Sequence, residues 1–338
     1  MVITYEPNLA LLRQALGNDV QDCHTELIKI ALGWSRVYRV TLSQQGHSRR
    51  ESVVVKTIDP NGSATAFETE RELRFYQILH PELCIPKPQV YFLTTDEATG
   101  FHVIVMEDLS LTHLIHTHPY QWTRAELGSV LLAYARLHTS NLNSLDHPWL
   151  TSRYENQLNF EMIPQQAANV QRAGIWGNLP ELPKLIAYAR ESCKKYADEK
   201  ITLLHGDTTP ANALLPQDLT QPAVLIDWQD VGVGMPEFDL AYLDLQPFRS
   251  ARLIPRSELL DIYWRLRAEI DSDIHPSEER RARQLHADVV NMLWLVGSAS
   301  RVALHPFPTG TYPHMHWASQ HPIVYGRLKA LSCEIDSL

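Results

Sequence analysis

Two short stretches constrain this chain most: Leu203-Leu204-His205-Gly206-Asp207-Thr208-Thr209-Pro210-Ala211-Asn212, and then Val224-Leu225-Ile226-Asp227-Trp228-Gln229. Leu203-Leu204 and Ala213-Leu214-Leu215 flank the first as strands, and Ala223 to Ile226 reads as a strand running into Asp227, with Gln217 to Pro222 as the turn between. In that order, Asp207 and Asn212 face one point from a single loop, and Asp227 reaches it from the neighbouring strand end. Magnesium favours octahedral oxygen and is held by one or two carboxylates plus substrate phosphates, which suits Asp227 with Asn212. Asp207 is then free to accept a hydroxyl proton. A lone His-x-Asp, or a lone strand-end Asp, reads as a turn former. Together, with matching flanks, they supply what phosphoryl transfer needs: a proton acceptor and oxygen ligands for a cation.

Composition narrows the partners. With 30 Lys and Arg against 39 Asp and Glu, the net charge is -9 and no basic run is present, so nucleic acid and anionic membrane are not expected partners. The four cysteines, Cys23, Cys84, Cys193 and Cys333, are far apart with no C-x-x-C pair, which indicates neither a zinc site nor a disulfide framework. The first residues lack the charged-then-apolar order of a signal peptide, and no apolar stretch is long enough to span a bilayer. A cytoplasmic protein is expected.

Along the chain, an amphipathic segment around residues 9–16 precedes two β-rich runs, 28–32 and 37–42, joined across Gly33-Trp34-Ser35. Ser52 to Lys56 adds a third strand, where a solvent-facing edge lysine is the plain reading of Lys56. Thr65-Ala66-Phe67-Glu68 has the form of a capping box and opens a helix to about Leu79. Residues 89–93 and 101–106 make a further hairpin around a turn at 96–100. From Glu107 the pattern turns helical: Leu127, Val130, Leu131, Tyr134 and Leu137 predict a helix over 124–139, and 258–269 and 278–304 show the same period. Between 141 and 200, Pro148, Pro164, Pro180 and Pro183 are read as cutting short helical pieces, and 305–322 as irregular.

These motifs resemble the aminoglycoside phosphotransferase and choline kinase-like branch of the protein kinase-like superfamily. The catalytic loop of that family, His-Gly-Asp with Asn five residues after the Asp, matches His205, Gly206, Asp207 and Asn212, and its metal-binding Asp matches Asp227. Leu137-His138, Glu107-Asp108-Leu109 and the run Asp239 to Tyr242 also match, and Asp227-Trp228-Gln229 is similar to the Asp-Phe-Gln variant of ecdysteroid kinase-like members. The resemblance implies an α+β, bilobal protein kinase-like fold. A small antiparallel sheet with one main helix would occupy 1–106 and bind nucleotide, and a larger helical lobe, 107–338, would hold the catalytic and acceptor sites.

It further implies an ATP- or GTP-dependent kinase that uses Mg2+ and acts on a hydroxyl of a small molecule. In that reading Lys56 binds the α/β-phosphates and pairs with Glu72. Ser35 lies in the phosphate loop, Glu107 at the crossover between lobes, Asp207 is the catalytic base, His205 positions it, and Asp239 braces the loop. Two departures stand out: the Gly33-Trp34-Ser35-Arg36 loop lacks several glycines, and no glycine follows Asp227, which argues against a kinase-style flipping loop.

A nucleotide-binding pseudokinase is the first alternative, although Lys56, Asp207, Asn212 and Asp227 are all intact. A metal-dependent phosphohydrolase built on His205, Asp207 and Asp227 is the second, and it leaves Lys56 unexplained. His113, His116 and His118 fit no helical face and lack a nearby acid or cysteine, so no metal is assigned to them, nor to His305, His314, His316 and His321. Late in the chain, Trp264 and Trp294 read as core, and Asp288 and Asn291 as a polar flank facing solvent.

Overall fold

The computed structural model describes residues 5–31, 35–44, 51–59, 66–97, 99–114, 122–140, 145, 147–151, 158–197, 201–245, 254–272, 275–304 and 321–337. In chain order these form α1 (Leu9–Leu16), β1 (Val20–Ala31), β2 (Ser35–Gln44), β3 (Glu51–Ile58), α2 (Ala66–Arg74), β4 (Val90–Thr95) and β5 (His102–Glu107). The helical part follows with β6 (His113–Leu114), α3 (Arg124–His138), α4 (Ile163–Arg172), α5 (Leu182–Lys195), β7 (Thr202–Leu204), β8 (Ala213–Pro216), β9 (Val224–Leu225) and β10 (Gly232–Gly234). Four helices complete it: α6 (Glu237–Leu245), α7 (Arg256–Ile270), α8 (Ser277–Leu304) and α9 (His321–Asp336).

The first five strands make one antiparallel sheet in the order β1-β2-β3-β5-β4. Period-two alternation gives it two apolar faces. Val53, Val55, Val103 and Val105 pack with Leu11 and Leu12 of α1, whereas Ile58, Ile104 and Met106 pack with Phe75, Tyr76 and Leu79 beyond α2. Lys56 belongs to the second face. It sits on β3, between β2 and β5, opposite Val37 and Ile104, so it is a central-strand lysine and not an edge one.

Helix α2 runs on through a π turn, Phe75–Leu79, and a short 3₁₀ turn, His80–Glu82. Thr65 and the side chain of Glu68, the expected capping box, lie outside the described residues, as do Gly33, Trp34, His116, His118, His305, His314 and His316. The first strand begins at Val20, eight residues before the apolar run that signalled it, because an edge strand with polar residues on one face does not advertise itself by hydrophobicity. At the turn after β4, Asp96 Oδ1 accepts from the Thr99 amide and hydroxyl, and Gly100 takes φ +75°.

In the helical part, α3 starts at a capping box in which Thr123 and Glu126 satisfy each other's amides. The core that begins under the sheet continues through Leu127, Val130, Leu131, Tyr134 and Leu137 of α3 to Leu203, Leu215, Leu225 and Trp228. Pro164 and Pro183 open α4 and α5 where they were expected to interrupt helices, since proline at the first turn removes an amide that has no intrahelical partner anyway. Asp288 and Asn291 are buried, not solvent-facing. Asp288 accepts from Arg327 at 2.7 Å, from Arg256 and from Gln284, and Asn291 donates to the Phe238 carbonyl.

Helix α8 anchors the start of α6 through a buried ion pair: Arg283 donates to Glu237 at 2.9 Å, with both side chains at or below 2% exposure. Removing one partner of such a pair leaves a buried charge uncompensated. Arg283→Met is therefore expected to lower unfolding free energy by about 3–5 kcal/mol, read from urea denaturation, and replacing Glu237 as well should restore part of the loss.

Candidate active site

Lys56, on the inner face of β3, meets two carboxylates. Its ammonium donates to both oxygens of Glu72 on α2, at 2.8 and 2.7 Å, and to Asp227 Oδ1 at 2.6 Å. Burial by itself would lower the Lys56 pKa, but Asp227 and Glu72 outweigh it and hold the ammonium above its ordinary range. Burial likewise opposes ionisation of Asp227, yet Lys56 and then Lys29 overcome it and keep the carboxyl well below its usual value. Asp227 has φ 69° and ψ 65°, making it the one non-glycine residue with positive φ among the described residues. Left-handed backbone is sparsely populated outside glycine, and Asp and Asn tolerate it best. Here it lets the carboxylate project from the end of β9 toward the sheet.

The next residue fixes that turn. Trp228 stacks on Phe75 at 4.1 Å with 13° between ring planes, and its indole nitrogen donates to the Leu225 carbonyl. The turn carrying Asp227 and the helix carrying Glu72 thus share one aromatic contact.

The loop between β7 and β8 is built around the carboxylate of Asp239, near the start of α6. Asp239 Oδ2 accepts from the His205 amide at 2.8 Å, and Oδ1 from the Gly206 amide at 2.9 Å. His138, the last residue of α3, makes a 3.1 Å contact from Nε2 to Oδ2. His138 Nδ1 lies 2.8 Å from the Tyr263 hydroxyl, which accepts from Arg267 at 3.1 Å. Because the Asp239 carboxylate can only accept, Nε2–H goes to Asp239, and Nδ1 of the neutral ring then accepts the Tyr263 proton.

The same reasoning fixes His205. Its Nδ1 accepts from the Asp207 amide at 3.3 Å, so Nε2–H donates to the Ile226 carbonyl at 3.0 Å and ties the loop to the residue before Asp227. Both imidazoles are neutral. Burial pushes each below the ordinary 6.5, against the pull of Asp239.

Within the loop, Asn212 Nδ2 donates to the Asp207 carbonyl at 3.0 Å and to Asp207 Oδ2 at 2.9 Å. Those bonds use the amide's hydrogens and leave Asn212 Oδ1 as an oxygen donor. The Ile226 amide donates to the Asn212 carbonyl at 3.0 Å, which sets Asn212 and Asp227 at neighbouring strand ends. The donor set is hard oxygen, as a magnesium site requires. Among the described residues no three His, Cys, Asp or Glu side chains converge as a ligand cluster, so an ion here would rest on Asp227, Asn212 and oxygens brought by a substrate.

The structure brings Lys56, Glu72 and Asp227 together, and joins Asp207, Asn212, His205 and Asp239 in a second, adjoining network. Ser35 opens β2 with its hydroxyl buried and without a hydrogen-bond partner among the described residues. Glu107 closes β5, where its amide donates to the Gln89 carbonyl and its carboxylate accepts from the Gln89 amide. Its neighbour Asp108 does more to pin the crossover, accepting from Arg39, Ser52 and the Ser110 amide.

Sequence reasoning missed Lys29, Tyr263 and Arg267, and named Asp108 only as part of the crossover run. Only Asp108 had a local signal, as an Asp before a short helical turn. The others act across 198, 125 and 4 positions.

A model of the phosphotransferase enzyme family matches residues 26–289. The chain belongs to that family. No curated protein matches the sequence. Its fold is shared with solved phosphotransferases: a crystal structure of a putative aminoglycoside phosphotransferase from Ralstonia eutropha JMP134 superposes with a TM-score of 0.66 at 16% identity, covering 96% of this chain and 97% of the other. Spectinomycin phosphotransferase, in complex with ADP and spectinomycin, gives 0.55 at 12% identity, with 96% and 97% covered. Amicoumacin kinase, in complex with AMP-PNP, Ca2+ and Ami, gives 0.55 at 13% identity, with 98% and 94% covered. Among the described residues of this phosphotransferase, no helix is long and apolar enough to cross a membrane.

Two outcomes test this construction. Gly206 has φ +80°, and a Cβ there would lie 2.1 Å from the Asp230 carbonyl oxygen, a backbone atom that cannot yield cheaply. Gly206→Ala is expected to lower the thermal midpoint by several degrees and to disrupt the loop, seen as lost amide protection at His205 and Gly206 in hydrogen exchange. Separately, two imidazoles with depressed folded pKa values mean that the folded state binds fewer protons than the unfolded chain near their ordinary 6.5. Stability should therefore fall as pH drops below that value, with a limiting slope of about 1.4 kcal/mol per pH unit for each group. Urea midpoints between pH 7.5 and 5 measure this slope, and His138→Gln should flatten it.

Proposed function

We propose that this phosphotransferase is an ATP- or GTP-dependent kinase of a small molecule, with a hydroxyl as acceptor. The observation that carries the reading is the junction of two networks: Lys56 clamped between Glu72 and Asp227, and Asp207 fixed by Asn212 one strand end away. Similar proteins that hold a nucleotide together with a small substrate support it.

In this reading Lys56 binds nucleotide phosphate, with Glu72 keeping its ammonium in place. Asp227 and Asn212 hold Mg2+, which when bound screens the phosphate charge. Asp207 accepts the proton of the acceptor hydroxyl as that oxygen bonds to the γ-phosphorus and the bond to the β-bridging oxygen breaks, releasing the nucleoside diphosphate. The positioning falls to His205 and Asp239. Neutral His205 holds the Asp207 amide and the Ile226 carbonyl at once, so base and metal ligand keep one spacing. Ser35 and the Glu107 crossover border the nucleotide. The sheet part and the helical part act as nucleotide lobe, 1–106, and catalytic lobe, 107–338. A cytoplasmic location fits a nucleotide-dependent enzyme, and nucleic acid is not a partner.

Purified protein with Mg2+, ATP or GTP and a panel of hydroxylated metabolites and antibiotics should reveal an acceptor by nucleoside diphosphate release. Asp207→Asn is then expected to cut kcat by about 10²–10⁴-fold while leaving nucleotide affinity near wild type. Full turnover in Asp207→Asn would sink the assignment.

A further inference from the structure

A second lysine reaches the metal-binding carboxylate. Lys29, on β1, places its ammonium 3.4 Å from Asp227 Oδ2. Simple alternation along β1 would not put it there. Leu27 pairs with Tyr38, whose partner across β3 is Val55, on the face that packs against α1. Lys29, two residues on, belongs by alternation to that same face. Instead the register slips between Leu27 and Lys29, and Lys29 pairs with Val37, which pairs with Lys56. The bulge turns Lys29 onto the row Val37, Lys56, Ile104, facing Asp227. Bulges beside functional sites re-aim side chains in this manner.

Both oxygens of Asp227 therefore face ammonium groups, on unequal terms. Lys56 is 8% exposed, lies 2.6 Å away and is also held twice by Glu72, whereas Lys29 is 44% exposed and bonds once, at 3.4 Å. An exposed pair of that length is worth little and is readily exchanged. If Asp227 takes a divalent cation, Lys29 is the ammonium that must leave, repelled by the ion, and the nearest strong anion is the triphosphate.

We propose that Lys29 is a phosphate-binding residue of the nucleotide site, an ammonium that passes from Asp227 to the triphosphate when Mg-nucleotide binds. The assignment rests on the kinase reading above. It predicts that Lys29 contributes affinity in proportion to phosphate, not to the nucleoside.

The test is calorimetric titration of wild type, Lys29→Met and Lys29→Arg with nucleoside, diphosphate and triphosphate in excess MgCl2, using the purine series that wild type binds more tightly. Lys29→Met should bind the triphosphate about fivefold to twentyfold more weakly and the nucleoside within about twofold of wild type. Lys29→Arg, which keeps the charge, should recover most of the triphosphate affinity. A Lys29→Met protein with the wild-type ratio of triphosphate to nucleoside affinity overturns the assignment, whether both affinities are unchanged or fall together. Wild type that binds neither purine series overturns the kinase reading as well, so the two failures are distinguishable.

Discussion

The buried carboxylate of Asp239 is the constraint on which the site depends. It faces no lysine or arginine within ion-pair distance among the described residues; its oxygens take hydrogen bonds from the amides of His205 and Gly206 and from His138. A carboxylate taken out of water must have its lone pairs satisfied, and backbone amides do this only if the loop that carries them holds one conformation. The left-handed Gly206 supplies that conformation, since no side chain fits between it and the Asp230 carbonyl. The acid at the start of one helix, the histidine at the end of another and a glycine in a loop are thus parts of a single device. Arg267 and Tyr263 extend it into α7.

Electrostatics then divides the site in two. Around Asp207 the Asn212 amide and the His205 imidazole supply uncharged hydrogen-bonding groups. Around Asp227 the positioning groups are charged, with Lys56 shared between two acids. On the proposed reading the two surroundings suit two tasks, since a proton acceptor needs fixed geometry and a ligand for a divalent ion must stay ionised.

The strands of the sheet and the Glu72 helix were legible because their cues are local: alternating valines, a helical period and turn residues at 96–100; the order of the strands, which makes Lys56 central, was not. The placement of the His205 to Asn212 loop between strands was legible because its residues sit within ten positions and the strand ahead of Asp227 follows after one turn. What stayed hidden depends on distant pairing. The burial of Asp288 comes from arginines on α7 and α9, and no pattern within α8 distinguishes an acid facing them from one facing water. The role of Lys29 hangs on a one-residue slip in pairing, and a slip leaves no trace in composition. Pro164 and Pro183 were misread for a subtler reason, because the same residue that ends a helix from within begins one from its first turn.

The stacking of Trp228 on Phe75 couples mechanics to chemistry. Two large rings in face-to-face register resist shear, because sliding one across the other wets both and forfeits an interaction of about 0.5–1.5 kcal/mol beyond the burial itself. Any outward swing of α2 would drag the tryptophan and rotate the backbone hinge immediately before it. Disengaging the glutamate from its lysine and misdirecting the aspartate are accordingly one motion, and a residue that loosened this stack would release both carboxylates from Lys56 together.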